Sequence, residues 1–321
     1  MNLNREARIT AAAAGIAGLL LFVSLDGQSP TAAAPPAPTG TWTTPWGDPD
    51  LQGTWSNATS TPLQRPERYG TREFLTPEER AAVDRQRIAE ERGDTPEQDL
   101  AGAYNQFWYE GRISDGRTSL IIDPPGGRVP ITPAGEQRRA AHRKEGFDSW
   151  ESRNLFDRCI MRNPLPRIPN LYNNNCELVQ TPGYVAILQE IMHDTRVIPL
   201  DARPHLDSRV RQWLGDSRGH WEGTTLVVET TNFSDRTDFE GAGPNMRLVE
   251  RWTRVTDDRV DYRFTVEDST AWTRPWSGAL AWNKVAPLYE FACHEGNYSL
   301  YNILEGSRIG EAEAASKKDA K

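Results

Sequence analysis

The chain has 321 residues, enough for one large or two modest domains. Its formal net charge is −8 with an isoelectric point near 5.3, and no basic stripe with interleaved aromatics stands out, which argues against nucleic acid as the partner. The apolar share is 37% and the mean hydropathy −0.67, so part of the chain is expected in polar tails and loops.

Arg5 and Arg8 precede an apolar run at 9–24, ITAAAAGIAGLLLFVS, which is followed by small residues at 31–34. That is the pattern of a secretory signal, and the run falls short of the roughly 20 apolar residues a membrane span needs. Residues 1–34 are read as a signal peptide and 35–47 as a linker. The expected location is periplasmic or secreted, with no stable membrane span after signal removal. An uncleaved N-terminal anchor is the alternative. No cysteine follows the run closely, so a lipobox anchor is excluded.

Three cysteines in an oxidising compartment give one disulfide and one leftover thiol. Cys176 falls in a polar stretch, NLYNNNCEL, whereas Cys159 and Cys293 have apolar neighbours and form the favoured pair. A catalytic thiol is the sharper alternative, and only Cys293, beside His294, has a base next to it.

Gly53-Thr54-Trp55 resembles the Gly-x-Trp at the first strand of lipocalin-like barrels, where the Trp closes the barrel floor. Thr76-Pro77 opens a helix running to about Glu91, and Thr132-Pro133 opens a second to about Lys144. His142, on the second helix among Arg and Lys, reads as a solvated side chain. Residues 118–122 read as a strand answered across a Pro-Pro-Gly-Gly turn by 128–131.

From Tyr184 the period becomes two, with Val185, Ile187, Ile191, His193 and Val197 on one face. If that strand is unbroken, His193 is the one ionisable group on an apolar face. If His193-Asp194 is a hairpin tip, it is not. Residues 213–221 and 225–233 form a hairpin turning at Glu222-Gly223. Residues 248–255 and 260–268 form another, with Val260, Tyr262, Phe264 and Val266 inward. Asp268 ends that apolar row, either as a carboxyl of raised pKa or as the cap of the turn. Trp276–Trp282 and Leu288–Cys293 read as further strands, and 296–306 as a terminal helix with Leu300, Ile303 and Leu304 on its buried stripe.

The elements describe a mainly β fold: a single antiparallel β-barrel, lipocalin-like or calycin-like, spanning 48–310. A helical insertion lies at about 76–150, a short helix at the C-terminal end, and a disordered tail at 311–321.

Several blocks are similar to those of a family of exported bacterial proteins of unassigned function. They are DRC, PNLYNNN, HDTRVIPLDARPH, GDSRGHWEGTTLVVETTNF, LVERWTRV and YEFACHEGNY, and the resemblance spans about Asp48 to Arg308. It implies export and a β-rich fold, and supports the Cys159–Cys293 pairing, since the cysteines of DRC and ACHEGN recur in the pattern. Ser269 and Thr224 depart from that pattern, where Pro and Asp are usual.

The expected function is binding of a small, largely apolar or aromatic molecule inside the barrel. Trp221, Trp252, Tyr262, Trp272, Trp276 and Trp282 line the pocket, and Arg274 supplies an anion or cation–π contact. Simple core packing is the other reading of these aromatics. A polar end built on His193, His220, Asp268 and His294 is expected to act on the ligand. The alternative is a hydrolase or lyase, metal-dependent or His/carboxylate. The cofactor is unknown; a divalent metal, if bound, falls to His193, His220 and His294. There is no Gly-x-Ser-x-Gly elbow and no phosphate-cradling loop.

Overall fold

Apolar and polar residues alternate through most of the chain from 175 to 284, and in the computed structural model each alternating run is a strand. The structure describes residues 41–92, 114–144, 146–170 and 172–319. Ten strands form one sheet: β1 (Gly53–Ser56), β2 (Ile121–Asp123), β3 (Asn175–Thr181), β4 (Tyr184–Gln189), β5 (Thr195–Pro199), β6 (Asp216–Glu222), β7 (Thr225–Thr231), β8 (Arg247–Thr256), β9 (Arg259–Glu267) and β10 (Trp276–Lys284). Nine of them follow the path β5-β4-β3-β1-β10-β9-β8-β7-β6, and β2 pairs with β10 beside β1. Every ladder is antiparallel. The barrel expected from the sequence is therefore present and nearly closed. Because nine alternating strands give the two edges, β5 and β6, the same direction, closure there cannot use an antiparallel ladder.

The interior is a packed core. Trp252 lies 4.4 Å from Tyr262 and 4.8 Å from Trp282, and Trp272 meets Trp276 edge-on at 5.4 Å. Phe264 lies across β10 so closely that a Cβ on Gly278 would sit 2.3 Å from its ring, so only glycine fits there. Trp55 is buried on β1 and donates its indole N–H to the Leu51 carbonyl at 2.9 Å.

Among the described residues three α-helices stand outside the barrel: α1 (Pro77–Arg92), α2 (Pro133–Arg143) and α3 (Tyr298–Asp319). Both predicted helix starts hold. Thr76 accepts from Glu79 N while Glu79 accepts from Thr76 N, a reciprocal cap, and Thr132 accepts from Gly135 N. Arg139 pairs with Glu240 at 2.7 Å, which fixes α2 against the loop after β7. Gly241, at φ +84, lies so near α2 that a Cβ there would be 2.3 Å from the Gly135 carbonyl oxygen.

Several expectations need correction. Residues 128–131 do not answer 118–122. Thr273 N donates to Pro130 O and Val129 N to Gln64, while β2 pairs with β10. Residues 288–293 are not a strand, because their outward amides are taken by side chains: Tyr289 N donates to Glu190 and Phe291 N to His193. The helix at the end continues through 311–319, the Ala, Glu and Lys content favouring propagation over a disordered tail. Cys176 is not in a polar loop but on β3, fully buried in the barrel core.

Candidate functional site

Two groups of charged residues stand out, one inside the barrel and one outside. Inside, β5 turns Arg196 inward, where its guanidinium meets Glu250 of β8 at 2.5 Å. Arg196 also donates to Ser217 at 2.8 Å and Thr230 at 2.6 Å, and Tyr262 donates to Glu250 at 2.9 Å. Burial first, and then the Glu250 carboxylate, hold the Tyr262 phenol well above its usual pKa. A second ion pair, Arg167–Asp194, lies next to this network, and Arg167 also donates to the Asn163 carbonyl at 2.6 Å. The space among these groups is about 10 Å³, on the order of one water. The expected aromatic pocket is thus filled by its own side chains: Trp252, Tyr262 and Trp282 pack on one another, and Trp276 packs against Phe264 and Trp272.

The expected polar residues do not converge. The β4–β5 connection is a hairpin tip, so His193 sits in a short 3-10 turn at φ 54 rather than on an apolar strand face, and its Nε2 accepts from Phe291 N at 3.1 Å. His220 is exposed on β6 and pairs with Glu222 at 3.2 Å. His294 is exposed beside the Cys159–Cys293 disulfide, whose Cα atoms are 5.8 Å apart. Asp268 is buried as a turn cap, accepting from Gly243 N, Thr270 N and the Thr270 hydroxyl. Trp221 is half-buried, and Arg274 pairs with Asp123 of β2 at 2.6 Å. Among the described residues no three or more His, Cys, Asp or Glu side chains are placed to hold a metal ion, so His193, His220 and His294 are not brought together as ligands. His205 comes nearest to an acid–base constellation, 2.8 Å from Asp216 and 3.4 Å from Glu229. Asp216, however, is already held by Arg218 at 2.7 Å and by Leu206 N.

The outer group was missed from the sequence. A cleft of about 680 Å³ opens between the end of α2, the loop at 151–164 and the loop at 235–238. Its walls carry Arg143, Lys144, Arg153, Arg158, Arg162 and Arg236, against the carboxylates of Glu151, Asp235 and Asp238. The sign is opposite to that of the chain as a whole. Arg153 is buried and committed to Asp157 at 2.6 Å, which ties the start of the loop together. Arg158 and Arg162 make no ion pair with any described residue. Their guanidiniums instead lie over rings, Arg158 4.8 Å from Trp150, and Arg162 4.1 Å from Phe156 and 5.4 Å from Tyr172. The buried Nε of Arg158 has no hydrogen-bond partner among the described residues. These arginines are interspersed with aromatics in FDSWESRNLFDRCIMR, but three carboxylates balance them, so the stretch is not a basic stripe. The spacing fits neither a helical nor a strand period, and only the fold of the loop aligns it. Asp238 is half-buried, and desolvation raises its pKa against the opposing charges of His142 and Arg143.

The loop that forms one wall is held to the barrel from two sides. Asn57 at the end of β1 donates to the Arg167 carbonyl at 2.9 Å, and the disulfide joins Cys159 to the segment before α3. Asn297 adds a bond to the Asp157 carbonyl at 2.8 Å. The stacked arginines are thus mounted on a stapled support, as a binding site requires.

No protein-family model matches the chain, and no curated protein matches it in sequence.

Proposed function

We propose that this protein is an exported binding protein for a small organic anion, held in the cleft between α2 and the 151–164 loop. One observation carries the reading: Arg158 and Arg162 lie over aromatic rings and pair with no carboxylate among the described residues. A guanidinium stacked by its face keeps its in-plane N–H donors for a planar anion, and rigid stacking limits the entropy lost on binding. The cleft volume falls within the roughly 300–1,000 Å³ of small-molecule sites. The packed barrel serves as scaffold rather than container. Export is supported by the apolar run behind Arg5 and Arg8 and by the Cys159–Cys293 disulfide, which suits an oxidising compartment. Membership of the exported family that the sequence blocks resemble is part of the same proposal.

Calorimetric titration with citrate, benzoate and pyrophosphate tests it. Saturable binding of at least one anion, lost in Arg158→Ala/Arg162→Ala while the melting temperature holds, is expected. If none of the three binds, or if the double variant binds equally well, the cleft is not an anion site.

A second reading has its own observation. His142 and Asp238 line the same cleft and act on one another electrostatically, so a bound ligand would meet an acid–base pair there. Turnover of a bound ligand that His142→Gln abolishes without weakening binding would establish it. Unchanged turnover would remove it.

A further inference from the structure

Resting on that anion-binding reading, we infer that the cleft takes a polyhydroxylated carboxylate, the chemistry of a uronic acid unit, free or within an acidic oligosaccharide. The cleft offers two kinds of partner at once. Arg158 and Arg162 supply planar donor edges, and the buried Nε of Arg158 is a donor still lacking an acceptor among the described residues. Such an edge matches a carboxylate with two parallel hydrogen bonds. Asp235 and Asp238 on the facing loop, with Glu151 at the start of the arginine loop, supply acceptors, and nothing in a bare anion would donate to these.

That second set discriminates between anions. A phosphoryl group without hydroxyls can use the arginine side but has nothing to donate to the three carboxylates. A carboxylate carries a single charge and can sit on the arginine side. The hydroxyls of the same molecule then donate to the acidic side.

Trp150 and Phe147 stand behind the arginine side, stacked on the lining residues Arg158 and Arg153 without lining the cleft themselves. The cleft, at about 680 Å³, also exceeds what one small carboxylic acid would fill. A chain of two or three hydroxylated rings uses both the width and the mixed polarity.

The experiment is calorimetry on the disulfide-intact chain with four probes: galacturonic acid, trigalacturonate, the neutral maltotriose, and pyrophosphate. Trigalacturonate is expected to bind and maltotriose not. Added salt should weaken the binding, and Arg158→Ala should reduce it by about ten- to a hundred-fold, the loss of one charge-assisted contact. Arg158→Lys keeps the charge but not the planar edge, and should fall between the two. Unchanged melting temperatures in both variants separate a lost contact from a lost fold.

Monomer binding as tight as the trimer's would support a free sugar acid, and a clear gain with length an oligosaccharide. Maltotriose binding equal to that of trigalacturonate would overturn the inference, since the carboxylate would then have no role. Arg158-dependent binding of pyrophosphate without any uronate binding would overturn it too, but leave the anion site standing. If uronates, pyrophosphate, citrate and benzoate all fail to bind, the anion-binding reading falls with it.

Discussion

Inside the barrel, Arg196 meets Glu250 at 2.5 Å, with Ser217, Thr230 and Tyr262 completing the network. In the outer cleft, Arg158 and Arg162 meet rings instead, and no described carboxylate pairs with them. The two regions use the same residue type for opposite ends. A buried charge must be paired, because an isolated one costs several kcal/mol, so the interior network is complete in itself and specifies how the strands meet. A stacked, half-exposed arginine can remain solvated until an anion arrives. On the anion-binding proposal, the contrast between paired and ring-stacked arginines separates fold from function better than burial or charge alone.

The largest expected effect breaks the interior half of this contrast. Glu250→Ala strands the Arg196 guanidinium in the core, and should lower unfolding free energy by about 3–5 kcal/mol in urea titration. A loss below about 1 kcal/mol would mean that the network contributes little. Removing the disulfide by Cys159→Ser/Cys293→Ser comes next. It releases a constraint between residues 134 apart in sequence, and about 2–5 kcal/mol of stability should go with it. The arginine wall should loosen too, so anion affinity should fall in parallel. Retained affinity would show that the wall stands without the staple.

The cleft half is tested by Arg158→Ala, where the outcomes reverse. Affinity for the bound anion should drop about ten- to a hundred-fold, while stability stays within about 1 kcal/mol of the parent. A smaller effect is expected at Asp238. Burial raises its pKa, so the folded chain holds the proton more tightly than the unfolded chain. The carboxyl's favourable contribution is complete only below the ordinary aspartate value of 3.8, and is lost as pH rises through the higher folded value. Asp238→Asn should therefore melt higher than the parent at neutral pH, the gap closing as pH falls toward 3.8. A gap that widens on acidification would contradict this sign. The smallest effect belongs to His220→Ala. Its exposed pair with Glu222 should leave stability within about 0.5 kcal/mol of the parent and binding unchanged.

The barrel was legible because its signal is local. The alternation in RVDYRFTVE and WSGALAWNK states which face is buried, and Gly223 marks the tip of the β6–β7 hairpin. The reciprocal cap of Thr76 and Glu79 is equally short-range. What failed depended on contacts distant in sequence. Residues 288–293 carry strand-like composition, yet Glu190 and His193, about a hundred positions earlier, take their amides. Asp268 could not be told apart as cap or acid until Gly243 was seen to donate to it.

The site was the least legible part. The histidines carry familiar chemistry, but His193 is occupied by the distant Phe291 amide and His220 by its neighbour Glu222. Arg153, Arg158 and Arg162 are spaced without a helical or strand period, and their pairing with Phe147, Trp150 and Phe156 arises only in the folded loop. The sequence signal available was the repeated neighbourhood of Arg and aromatic residues between 147 and 162, which overall negative charge concealed.

The most direct test of the contrast is to follow the arginine Nε–H resonances by NMR while trigalacturonate is added to the intact protein. The account predicts shifts at Arg158 and Arg162 that saturate together, with Arg196 and Arg167 unmoved. Shifts centred on Arg196, or none at any arginine while the ligand binds elsewhere, would contradict it.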